Sequence, residues 1–189
     1  MNRVFFTISG LLLLIVVSCT DYTPKPMGYN RIEKPVYSYR VYSTPYFTFL
    51  FPAIAKIEPQ RHDSLPGHWF DITYPKYKAV VHCTYLTVQK DSIRNFFEDS
   101  HRLAYSHTMR AEDINVSLFS NPDHEVMGAI YDIGGDVATP IQFCATDSLS
   151  HFLRGSLYYQ EKVNPDSIEP ITRYIRDDIV QIIESIKWK

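Results

Sequence analysis

Apolar positions recur along this chain in three rhythms, and each predicts a different kind of element. A nearly unbroken apolar run occupies residues 5–17. Alternation with a period of two then marks strands. The first is 46–51, with Phe47, Phe49 and Phe51 on one face, and 68–74 and 76–88 follow on either side of Pro75. Strands are also predicted at 115–119, 125–133, 137–146 and 152–160. Two stretches change to helical spacing. Over 92–109, Ile93, Phe96, Phe97, Ser100, Leu103, Ala104 and His107 share one face, with Asp91 as the expected N-cap. Near the end, Ile168, Ile171, Ile175, Ile179, Ile182 and Ile186 follow at intervals of 3, 4, 4, 3 and 4, after a capping-box-like Asp166 and Glu169.

Between these elements lie a polar, proline-bearing loop over 52–67, an Asn121-Pro122-Asp123 turn, a Gly134-Gly135-Asp136 hairpin and a loop over 147–150. Consecutive strands joined by short turns, with two amphipathic helices, predict an α+β fold: an antiparallel sheet with both helices packed on it. The element order is similar to that of the Mog1/PsbP-like α/β/α sandwich. The charged back of the isoleucine stripe assigns it to core packing and not to a membrane surface.

The opening apolar run is too short to span a bilayer, which takes about 20 residues. With Arg3 before it, the run has the order of a secretory leader. It ends Val16-Val17-Ser18-Cys19, which resembles a bacterial lipobox. In such signals the cysteine receives a diacylglycerol, becomes the new N-terminus and is commonly acylated on its amine. Acyl chains contribute about 0.8 kcal/mol per buried methylene, so two or more hold a protein firmly to a bilayer. The reading divides the chain into a lipoprotein signal peptide (1–18), a lipidated arm (19–45) and one α+β domain (46–189). The arm carries Pro24, Pro26, Pro35 and Pro45 among five tyrosines, with no regular periodicity. Prolines favour extended backbone, and tyrosine suits a segment lying against a surface, its own domain's or a partner's.

A formal net charge of −2 without a basic cluster lacks the footprint of a nucleic-acid binder. Cys83 alternates with Val81 and Tyr85, whereas Cys144 alternates with Gln142 and Thr146. In regular strands of one sheet these thiols point to opposite sides, so no disulfide is expected.

No HExxH, CxxC or GxSxG motif occurs, and the seven histidines show no paired ligand spacing. No cofactor, metal or catalytic residue is therefore assigned. The richest polar stretch, 146–159, holds Asp147, Ser148, Ser150, His151, Arg154 and Gly155. Its main reading is a binding or packing patch. The alternative is a ligand-binding or hydrolytic envelope protein with Ser148 or Ser150 activated by His151, held in turn by an acid.

Several pieces, in order, carry a family resemblance: Tyr22-Thr23-Pro24-Lys25-Pro26 with Gly28-Tyr29, then Tyr74-Pro75-Lys76-Tyr77-Lys78-Ala79. Further along come 103–108, Phe119-Ser120-Asn121-Pro122, Thr146-Asp147-Ser148 with 151–157, and the ending 184–189. Together they resemble the gliding-motility lipoproteins of GldD type from the Bacteroidetes. The resemblance implies a non-enzymatic accessory lipoprotein of the gliding machinery, which is linked to type IX secretion. It also implies a membrane-protein partner, the gliding protein GldE first among them. Expected partners are thus the bilayer, through acylated Cys19, and an envelope protein, with the body facing the periplasm and the choice of membrane open. Candidate interaction residues are Tyr22, Pro24, Lys25, Pro26, Gly28 and Tyr29 in the arm, and Asp147, Ser148, His151, Arg154 and Gly155 in the body.

Overall fold

The computed structural model describes residues 38–60, 67–106, 111–161 and 165–189. The leader, Cys19 and the arm positions Tyr22, Pro24, Lys25, Pro26, Gly28 and Tyr29 lie outside the described residues.

Seven antiparallel strands form the central sheet: β3 (Lys56–Gln60), β4 (His68–Tyr74), β5 (Ala79–Thr87), β6 (Ala111–Asn121), β7 (Val126–Gly135), β8 (Ile141–Thr146) and β9 (His151–Tyr159). Their spatial order is β3-β4-β5-β9-β8-β7-β6. Helix α1 (Lys90–Tyr105) packs on one face and α2 (Pro165–Glu184) on the other. A small sheet of β1 (Tyr39–Ser43), β2 (Phe47–Pro52) and β10 (Lys187–Trp188), in the order β1-β2-β10, joins α2 on its face.

Alternation along the strands builds the two cores. On the α2 face, Phe70, Ile72, Val81, Tyr85, Leu153 and Leu157 meet Ile175, Ile179 and Ile182 of the helix and Phe47 and Phe49 of β2. Each such fully buried side chain contributes about 1.5–3 kcal/mol, and this larger core dominates stability. On the α1 face, Ala129, Tyr131, Cys144 and Phe152 meet Ala104, Phe96 and Phe97. The two thiols are free, buried and divided between these cores, as the alternation predicts. Two hairpins turn by the same device. Pro75–Tyr77 and Pro122–His124 each make a 3₁₀ turn closed by a left-handed residue, Lys78 (φ 48°) or Glu125 (φ 52°).

Several expectations need correcting. The pattern leaves 39–45 in an irregular arm, but Tyr39–Ser43 is a strand, paired with β2 from Tyr39↔Pro52 to Ser43↔Thr48. It is an edge strand with mostly exposed side chains, so no burial alternation betrays it. The predicted 52–67 loop contains β3, another exposed edge strand. Asp91 is not the cap of α1; Gln89 precedes the helix without a side-chain cap, and Asp91 sits in the first turn, where its charge suits the helix dipole. Likewise α2 starts at Pro165, which places Asp166 inside it. The Gly134-Gly135-Asp136 hairpin is not tight. Val137 packs into the α1-side core and buried Thr139 bonds to Ile141 O, so these two residues turn inward from a 136–140 loop whose Asp136 and Ala138 are exposed. The isoleucine helix stops at Glu184, and Ile186 enters the core from the link to β10.

Candidate functional site: an open sheet face beside helix α1

The 147–151 loop is built for its own shape. Asp147 Oδ1 accepts the backbone N–H groups of Leu149 (2.9 Å), Ser150 (2.9 Å) and His151 (2.8 Å). Burial would raise this carboxyl, but the three N–H donors and His151 outweigh it and hold the group below its ordinary value. Ser148 sits in the left-handed region at φ 63° and its hydroxyl donates to Met127 Sδ. Ser150 Oγ donates to Asp147 Oδ2 at 3.4 Å. His151 Nδ1 pairs with the Tyr85 hydroxyl at 2.8 Å, and its ring stacks on Trp188. Neither serine bonds to His151, so the nucleophile–base pair required by the hydrolytic alternative is not formed.

Alternation along β9 separates the remaining candidates. His151 and Gly155 lie on the α2 face and Arg154 on the α1 face. At Gly155 an added Cβ would stand 2.4 Å from Phe143 Cε1 and 3.3 Å from Cys83 Sγ. The residue therefore serves the core, where the Phe143 ring lies over its bare backbone.

Arg154 belongs to a different constellation. Helix α1 packs on the half of its face made by β7, β8 and part of β9, and no described helix packs on β3 or β4 there, although Val80 and Thr84 of β5 are buried on this face. At the step between helix and open sheet lies a groove of about 340 Å³. Register sets the residues of this sheet face in two rows, from which His82, Ser156, Gln142, Tyr131, Thr84 and Arg154 line the groove. One runs Asp71, His82, Ser156, Gln142, Tyr131 across β4, β5, β9, β8 and β7; the next runs Trp69, Thr84, Arg154, Cys144, Ala129. His82 Nδ1 lies 2.7 Å from Asp71 Oδ1, and Gln60 donates to the other carboxylate oxygen at 2.9 Å. An acceptor-only carboxylate fixes the imidazole proton on Nδ1 and leaves Nε2 unpaired. Ser156 is the cross-strand neighbour of His82, yet the two make no hydrogen bond. Burial, then Cys144 and Tyr105, pushes the Tyr131 hydroxyl up to about 12, so it stays a protonated donor. Among the described residues no three His, Cys, Asp or Glu side chains gather as metal ligands would.

Of this set the sequence reading singled out only Arg154. Asp71, His82, Thr84, Gln142 and Ser156 had one legible signal: polar residues in phase, at every second position of interior strands that are otherwise apolar.

The sheet's two edges differ. Edge strand β3 is five residues long and carries Lys56, Glu58 and Pro59, features that discourage further pairing. Edge strand β6 is eleven residues long, and its pairing with β7 is irregular only between Ala111 and Ile114. Its outer side has no neighbouring strand among the described residues. Leu118 is 76% exposed there, with Val116 and the neighbouring Met127 also exposed. No described helix is long and apolar enough to cross a membrane.

A family model for the gliding motility lipoprotein GldD matches residues 19–188. The chain belongs to this family of gliding motility lipoproteins, which places it in the cell envelope as a lipid-anchored protein. The solution structure of cyanobacterial PsbP (CyanoP) from Synechocystis sp. PCC 6803 is similar, with a TM-score of 0.51 at 10% identity, covering 87% of this chain and 100% of that one. At that identity the likeness shows the fold alone, an α+β sandwich of PsbP type. No curated protein matches the sequence.

Proposed function

We propose that this lipoprotein is a non-enzymatic interaction component of the gliding machinery linked to type IX secretion. Acylated Cys19 holds it to the bilayer with the body facing the periplasm. The tyrosine-rich arm and edge strand β6 dock it onto an envelope membrane protein, with GldE the candidate partner by family resemblance.

The observation that carries this reading is the contrast between the two sheet edges. A long edge strand with exposed apolar side chains is a template for pairing with another chain, and proteins normally blunt such edges. Here β3 is blunted along its length, whereas β6 is blunted only at its start, by Glu112, Asp113 and the irregularity before Ile114, and runs regular and uncharged from Ile114 to Asn121. A partner adding a strand to β6 gains main-chain hydrogen bonds, with Val116 and Leu118 supplying side-chain contacts. The test is co-purification of the tagged lipoprotein from solubilised envelopes. A membrane protein retained by the native chain and lost with Leu118→Arg supports the reading. Equal recovery with both chains removes β6 from it.

A further inference from the structure

The groove beside α1 contains polar groups that no described residue bonds. Thr84, Tyr131 and Gln142 are 6%, 1% and 8% exposed, and all three line the groove. None makes a side-chain hydrogen bond with any described residue, and the same holds for half-buried Arg154 and Ser156. Their polar atoms are not sealed from solvent but open into the groove, where water or a ligand is the partner available to them. These three side chains converge with an unpaired guanidinium on one concave surface, a polar recess shaped to take a small ligand. Its volume of about 340 Å³ falls within the ~300–1,000 Å³ usual for small-molecule sites.

The donors define the chemistry. Among the described residues Arg154 is the one guanidinium lining the groove, and its planar fork matches a carboxylate through two parallel N–H bonds. Asp71, two strands away in the adjoining row and held by His82 and Gln60, lies outside the groove's lining. A single guanidinium suits a monoanion better than a phosphate dianion. Gln142 donates and accepts, and the hydroxyls of Thr84, Tyr131 and Ser156 can do either, so polar groups are wanted next to the acid. Leu103 and Tyr158 provide apolar wall for the remainder. We propose that this groove binds a small monocarboxylate bearing an amide or hydroxyl beside its acid group, such as a peptide C-terminus or a sugar acid.

Ligand-observed saturation-transfer NMR on the full chain in detergent tests the site, with N-acetylalanine and glucuronate as probes. N-acetylalaninamide and inorganic phosphate serve as controls. Saturable binding of N-acetylalanine identifies a peptide end, and binding of glucuronate a sugar acid; either supports the site. Arg154→Gln is expected to weaken binding by about tenfold or more, the loss of a charge-assisted pair. Ser156→Ala, which leaves the guanidinium in place, reads the groove independently and is expected to weaken binding a few-fold. No binding of either acid up to about 10 mM, well past ordinary weak-site affinities, overturns the proposal. So does binding of the neutral amide or phosphate as tight as the acid, or unchanged affinity in both variants.

Discussion

The His151 ring lies almost flat on the Trp188 indole, with centroids 5.1 Å apart and planes 9° from parallel. This stack joins β9 of the large sheet to β10 of the small one. It is reinforced where Trp188 Nε1 donates to Glu125 O at 3.1 Å, while Lys189 Nζ ties the end of β10 to Thr44 O of the β1–β2 turn at 2.6 Å. The chain's last residues thus close the gap between the two sheets. Trp188→Ala is expected to destabilise the domain by about 2 kcal/mol, below the 3–5 kcal/mol of a fully buried tryptophan because this one is half-buried. Chemical denaturation measures it, and a change under about half a kcal/mol would mean that β10 is only draped on the surface.

Gly155 and Phe143 are matched in size. Gly155→Ala drives a methyl into the Phe143 ring and is expected to cost about 1–3 kcal/mol. With Phe143→Leu as background the same substitution should cost less, because the obstructing ring is gone. A double-mutant cycle with no coupling would show that the two do not share this space.

Burial lowers the His68 pKa below its ordinary value of 6.5, and the ring accepts the Tyr42 hydroxyl at Nε2 (2.8 Å) while neutral. The unfolded chain therefore takes up a proton at His68 before the folded one does. Stability from this group is complete above the ordinary histidine pKa and falls as pH drops below it towards the lowered folded value. His68→Gln should flatten the stability-versus-pH curve in that window. An unchanged slope would exclude His68 as its source.

Both body thiols are buried, and burial raises their pKa values: Cys144 to about 11 and Cys83 further still. Neither should react with iodoacetamide in the native protein near neutral pH, and both should react in guanidinium without a reductant. Failure of both to label after unfolding would reveal a disulfide and contradict the assignment of the two thiols to opposite faces.

The sequence made the two helices and the interior strands legible, because one buried face imposes a clean period on each. It hid β1 and β3, whose exposed edge positions have no burial rhythm, and β10, which is only two residues long. The 147–155 stretch looked like a candidate site because its residue types are those of catalysis. The fold spends Asp147 on a turn, His151 on an aromatic stack and Gly155 on close packing. Among the side chains of this stretch Arg154 alone reaches the groove, which the bare Gly155 backbone also lines, and its companions were not legible as a set because β4, β5, β8 and β9 meet only through register. The family, by contrast, was legible from short pieces whose order the matched span of residues 19–188 supports.

The central claim is that a lipid-anchored body meets a membrane protein along β6. Photocrosslinking in intact cells tests it most directly, with the reactive residue placed at Leu118 on β6 or, as a control, at Lys56 on β3. The account predicts a discrete adduct with an integral membrane protein from position 118 and none from position 56. No adduct from 118, or the same adduct from both edges, would contradict it.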